Sequence, residues 1–192
     1  KSTFINALIG KELLPSGGDT VTAKIYEIKR SPSDDFSRIR FTYHNEPMEL
    51  RFDSGRFRVA QGDKDSDILA ELTPMISDYS KNEIIEAVSK ALEFLNDCEK
   101  DNADKNGIGN VICVEIPFSP NGILGQSRNQ FVIFDTPGSN SASNIDHSMV
   151  LEEALQGFSN GIPVWVSQYE TVDSEDNALL CDKVLNIKAL DN

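Results

Sequence analysis

The chain has 192 residues, is 39% hydrophobic, and sets 18 Lys and Arg against 31 Asp and Glu, for a formal net charge of −13. That length and apolar content suit one domain with a real core. The charge argues against duplex nucleic acid, whose binding rests on neutralising phosphates, and against adhesion of this domain to anionic lipid; it leaves open a nucleotide pocket, because phosphate sites are local. Cys98, Cys113 and Cys181 are scattered and form no C-x-x-C pair, which speaks against zinc and disulfide frameworks and for a reducing cytoplasm. No signal-peptide pattern and no apolar run of about 18 residues is present.

Taken in order, the chain opens with Lys1-Ser2-Thr3 and an apolar stripe of Phe4, Ile5, Leu8 and Ile9 at helical spacing, with Gly10 as the stop. Residues 13–23 form a loop rich in Pro and Gly, and residues 23–30 a strand with one mixed face. Alternation predicts a hairpin over 38–52, turning at His44-Asn45-Glu46-Pro47, then a loop over 53–64. Residues 65–79 and 82–97 read as two helices, the second capped by Asn82 or started from Asp78. Residues 111–116 and 130–134 are short apolar runs, hence buried strands, joined by a turn-rich stretch. A helix over 146–158, a third apolar strand over 162–166 with Trp165 in the core, and a helix over 173–190 complete the reading.

Three stretches carry chemistry. Lys1-Ser2-Thr3 at a helix start is the second half of the phosphate-loop pattern G-x-x-x-x-G-K-[ST]. The helix N-terminus faces an anion, Lys1 reaches the β- and γ-phosphates, and the Ser2 hydroxyl is a hard ligand for Mg²⁺. Asp135-Thr136-Pro137-Gly138 closes an apolar strand. An aspartate there holds Mg²⁺ through water, and the Gly138 N–H can approach a γ-phosphate without obstruction. A threonine in the 13–23 loop completes the metal shell and senses the γ-phosphate; Thr20 and Thr22 both qualify, and Thr22 is preferred because it lies just before the strand. The nucleotide-binding set is therefore Lys1, Ser2, Thr3, Asp135 and Gly138. The metal set is Ser2, Thr22 and Asp135, and the catalytic pair is Lys1 and Thr22.

Lys1 to Leu8, Leu13-Leu14-Pro15-Ser16-Gly17 with Thr22-Ala23, and Phe134-Asp135-Thr136-Pro137-Gly138 together resemble the GTPase domain of the dynamin superfamily, especially its bacterial members. His147 and the stretch from Thr171 to Leu180 continue the likeness loosely. The resemblance implies an α/β fold: a three-layer, doubly wound P-loop sheet with helices on both faces and GTP at the strand C-termini. It implies Mg²⁺-dependent hydrolysis of GTP to GDP, stimulated when two GTPase domains associate. It also implies a cytoplasmic protein working at a membrane through regions outside this chain. On this reading residues 1–192 are a partial GTPase domain, cut at both ends, and residues 31–110 are an α+β insertion of a hairpin and two helices. The strand and glycines before Lys1 and an Asn/Thr-Lys-x-Asp guanine reader are absent, so the preference for guanine rests on resemblance.

Two other readings remain: a P-loop GTPase of translation or ribosome assembly, and an interaction module that keeps the fold without turnover. The acidic charge and the Leu-Leu-Pro-Ser-Gly loop disfavour the first. Arg30 and Arg128 are candidate arginine fingers that nothing in the sequence singles out.

Overall fold

The computed structural model describes residues 1–14, 24–53, 55–77, 79–80, 83–101, 107–127 and 130–136, with 162, 164, 166 and 178 singly, and only the backbone of 97–101. The expectations for residues 137–161 and 167–177, including the helix over 146–158, and for Trp165, Arg128 and His147, lie outside the described residues, as do nearly all of those for 173–190.

Helix α1 (Ser2–Ile9) precedes β1 (Ile25–Arg30), β2 (Phe36–Tyr43), β3 (Glu46–Asp53) and β4 (Arg56–Gln61). Helices α2 (Asp67–Ile76) and α3 (Ile84–Asp101) follow, then β5 (Val111–Ile116) and β6 (Val132–Asp135). The six strands make one sheet in the order β4-β3-β2-β5-β1-β6. Only β1 and β5 run parallel; the other four pairs are antiparallel.

The sheet's alternation decides which side is core. On one face lie Tyr26, Ile28, Ile39, Phe41, Met48, Leu50, Phe52, Ile112, Val114 and Ile116, all buried. They share a single hydrophobic cluster with Ile5 and Ile9 of α1, Leu69, Leu72 and Ile76 of α2, and Val88, Leu92 and Leu95 of α3. The alternate positions carry charge. Arg38 pairs with Glu115 and with Glu49 (3.8 Å), Arg40 with Glu115 (3.7 Å), Arg51 with Glu49 and Lys29 with Glu27. A period of two thus separates an apolar face from a laddered polar one.

Two expectations change. Residues 53–64 are not a loop: Phe57 and Val59 alternate inward from Arg56 to Gln61, and β4 pairs with β3 around a turn at Gly55. The sheet is mixed rather than doubly wound among the described residues, because β2, β3 and β4 are joined by short turns that permit only antiparallel pairing. Residues 36–61 continue the common sheet, through β2 on β5, instead of forming a separate unit. The predicted turn at His44 and Asn45 is real, with φ of 51° and 66°, the left-handed pair that a two-residue hairpin turn requires. Ahead of α3, Ser80 donates to Glu83 from its N–H (3.1 Å) and its hydroxyl (2.8 Å), a role expected of Asn82 or Asp78.

Helix α1 stops at Gly10, whose φ of 68° is left-handed and whose N–H bonds Asn6 O at 2.8 Å. The 117–127 loop packs on that end: Ser119 N–H donates to Ile9 O and Leu124 N–H to Leu8 O, both at 2.9 Å. A Cβ on Gly122 would stand 2.6 Å from the backbone of Gly10 and Ile9, so the approach requires glycine. Arg30 donates to the carbonyls of Leu124, Gly125 and Ser127 and lies over the Phe118 ring. Its guanidinium is therefore engaged in holding this loop.

Candidate functional site

Lys1 is the N-cap residue of α1, and no side chain caps that helix end. The N–H groups of its first turn have no intrahelical acceptor and carry the positive end of the helix dipole, which is how a helix start comes to attract anions. The apolar stripe of α1 fixes its direction: Ile5 and Ile9 are buried in the core, so the helix start is held rigidly at one end of the sheet. Ser2 and Thr3 open the same turn beside Lys1.

Strand β6 brings the other half. Its antiparallel register on β1 sets Asp135 opposite Tyr26, so the end of β6 lies beside the start of β1. Asp135 falls on the same face as the core residue Tyr26, and its side chain is fully buried. Lys1 Nζ lies 3.0 Å from Asp135 Oδ1, with the lysine side chain 27% exposed. One partner is inside, the other reaches outward.

This carboxylate is poorly provided for. Neither oxygen accepts a well-formed hydrogen bond among the described residues, and Oδ2 faces no donor at all. Burial pushes the Asp135 carboxyl above its ordinary range, and the Lys1 ammonium opposes that shift. Buried polar atoms are nearly always paired, so an orphaned carboxylate oxygen beside a lysine fits a divalent cation, directly or through its water. Asp135 and Ser2 supply hard oxygen atoms of the kind Mg²⁺ takes. No cluster of three or more His, Cys, Asp or Glu side chains that would hold a metal on protein ligands alone exists among the described residues. A Mg²⁺ that keeps several waters and leans on phosphate oxygens does not need one.

Thr22 and Gly138 lie outside the described residues. Their neighbours in sequence are informative nonetheless. The chain before Thr22 ends at Leu14 and the chain after it resumes at Lys24, directly ahead of β1 and therefore near the end of β6. Lys24 is buried and donates to Ile108 O at 3.0 Å.

The sequence reading missed one residue here. Asn6 sits in the apolar stripe of α1 and is only 3% exposed. Its Oδ1 accepts from Leu13 N–H (3.1 Å) and Leu14 N–H (2.9 Å), and its Nδ2 donates to Leu14 O (2.9 Å) and Glu12 Oε2 (3.2 Å). A buried polar side chain within an apolar stripe was the available signal.

Among the described residues no helix is long and apolar enough to cross a membrane. A sequence model described as the dynamin family matches residues 1–186. No curated protein and no solved structure matches the chain.

Proposed function

The chain belongs to the dynamin family, and from that premise we propose that it binds GTP with Mg²⁺ and hydrolyses it. The observation that carries the reading is the 3.0 Å approach of Lys1 to the buried Asp135, 134 positions apart in sequence, at the N-terminus of α1. On this reading the α1 N–H groups and Lys1 hold the phosphates, and Ser2 and Asp135 hold the cation. Thr22 completes the metal shell and Gly138 approaches the γ-phosphate. Bound Mg²⁺ supplies charge neutralisation on the β- and γ-phosphate oxygens. The protein's own part is positional: a rigid helix start, a lysine held in place by an acidic partner until phosphate arrives, and a buried carboxylate that excludes bulk water.

GTP is the substrate and GDP the product, with association of two such domains speeding turnover. The process we read for it is assembly and membrane remodelling in a bacterial cytoplasm. A net charge of −13 makes this domain itself a poor binder of anionic lipid.

The test is a titration of the intact protein with fluorescent GTP and ATP analogues, with and without Mg²⁺, followed by phosphate release across protein concentrations. We expect Mg²⁺-dependent GTP binding and turnover per molecule that rises with concentration. Thr22→Ala should spare binding and lower turnover; equal turnover in the two proteins removes Thr22 from the site. Binding without turnover makes the chain an interaction module instead.

A further inference from the structure

The phosphate-binding reading assigns nothing to Asn6, yet this residue makes more side-chain hydrogen bonds than any other on α1. We infer that Asn6 is a positioning residue for turnover: its amide clasps residues 12–14 against the helix that carries Lys1 and Ser2. The inference rests on the GTPase reading and adds to it the part that joins the helix to the chain leading toward Thr22.

The geometry builds the role stepwise. Gly10 turns the chain back on itself with a left-handed φ of 68°. The returning residues then run alongside α1, and Leu14 meets Asn6, four positions inside the helix from its C-terminal end at Gly10. An amide is the side chain for this place, because it offers an acceptor to two N–H groups and a donor to a carbonyl at once. Asn6 does both for Leu13 and Leu14, and its second amide hydrogen reaches Glu12. Leu13 and Leu14 are themselves buried, at 0% and 2% exposure, so the polar clasp sits in a dry setting where a lost hydrogen bond is felt in full. Leu14 is the last described residue before the stretch that bears Thr22. Its place relative to Lys1 is thus fixed through one side chain.

A residue that only stabilised α1 would lower nucleotide affinity and turnover together. A positioning residue separates them, since GDP needs the helix start while turnover also needs the chain beyond Leu14 set correctly. In the intact protein, Asn6→Ala should lower kcat for GTP by about tenfold to a hundredfold while the dissociation constant for GDP moves by no more than about threefold. Asn6→Asp keeps the acceptor and loses the donor, placing a carboxylate beside Glu12; combining it with Glu12→Gln restores a donor–acceptor pair in the reverse sense and should recover part of kcat. Amide exchange at Leu13 and Leu14, read by mass spectrometry, should quicken in Asn6→Ala.

Unchanged kcat in a folded Asn6→Ala protein, or kcat and GDP affinity falling by the same factor, overturns the positioning role. Unchanged exchange at Leu13 and Leu14 overturns the clasp itself. A wild type without GTP turnover, whose Leu13 and Leu14 amides are nevertheless slowed by Asn6, sinks the GTPase reading and with it the role in turnover, and leaves the clasp standing. Asn6→Asp is the second route if Asn6→Ala does not fold.

Discussion

Lys1 Nζ and Asp135 Oδ1 stand 3.0 Å apart, one at the start of the first helix and the other at the end of the sixth strand. No local interaction brings them together. Their contact is a product of the sheet order, in which β6 lies next to β1 and ends where β1 begins.

If this pair holds phosphate and Mg²⁺, its members should fail in different ways. Lys1→Ala removes the charge aimed at the β- and γ-phosphates, so nucleotide binding should be lost with or without Mg²⁺. Asp135→Ala should leave Mg²⁺-free binding intact and weaken the Mg²⁺-dependent component by about tenfold to a hundredfold, as removal of a group that orients a metal's ligands does. Calorimetric titration with GDP in Mg²⁺ and in EDTA separates the two. Identical losses in both buffers for Asp135→Ala would place that side chain outside the metal's reach.

The same carboxylate predicts a pH dependence of stability. Burial raises the folded pKa of Asp135 above its unfolded value. The folded state therefore holds a proton that the unfolded state has given up, and stability falls as pH rises from about the ordinary carboxylate value through the folded pKa. Lys1 limits that loss by favouring the charged form. Lys1→Met should widen the window upward, so its melting temperature drops against wild type at neutral pH and recovers in acid. Asp135→Asn should remove this contribution to the slope. Thermal melts between pH 4 and pH 8 check both, and a Lys1→Met deficit that is constant across that range defeats the argument.

Much of this was legible in the chain because the relevant signals are local. The i, i+3, i+4 stripe of α1 and its Gly10 stop, the period-two alternation of β2 and β3, and the apolar run of β5 each follow from side-chain direction alone. The 56–61 strand was as regular, with Phe57 and Val59 inward, but three arginine and glutamine positions facing solvent made it read as loop; only pairing with β3 reveals its role as an edge. The sheet's mixed direction was hidden for another reason. A resemblance built on residues 1–23 and 134–138 says nothing of how the intervening strands pair, and β2 to β4 follow their own short turns. The site was legible as residue types in order, whereas Asn6 was not, since a stripe analysis counts apolar positions and passes over a polar one whose partners come from a returning loop.

The α1 terminus supplies a stability prediction. Gly122→Ala would press a methyl group to within 2.6 Å of backbone atoms of Gly10 and Ile9. Backbone cannot swing aside as a side chain does, so the 117–127 loop must move off the helix end, and forced overpacking of this kind costs about 1–3 kcal/mol. For a domain of this size that is roughly a 3–10 °C fall in melting temperature. Ile123→Ala is the control: Ile123 is 72% exposed, and its truncation should change little. Equal melting temperatures for Gly122→Ala and wild type would show that the close approach is absent in solution.

Cys113 should be an unreactive thiol. It lies on the charged face of the sheet, half-buried, and donates to Glu27 Oε2 at 3.0 Å. Burial, then the hydrogen bond to Glu27 and that residue's negative charge, push its thiol pKa up to about 11. Only the thiolate attacks alkylating agents, so with an ordinary thiol near 8.5, Cys113 at pH 8 should react roughly a hundredfold more slowly than a free cysteine. Glu27→Gln removes the charge and the strongest acceptor, leaving burial as the main remaining cause of the shift. The thiol pKa should then fall and alkylation at pH 8 should quicken, with little gain at pH 5, where thiolate is scarce in either protein. Peptide mass spectrometry after timed iodoacetamide treatment reads Cys113 separately from Cys98 and Cys181. A wild-type Cys113 that reacts as fast as a free thiol would mean that the Glu27 hydrogen bond does not hold in solution.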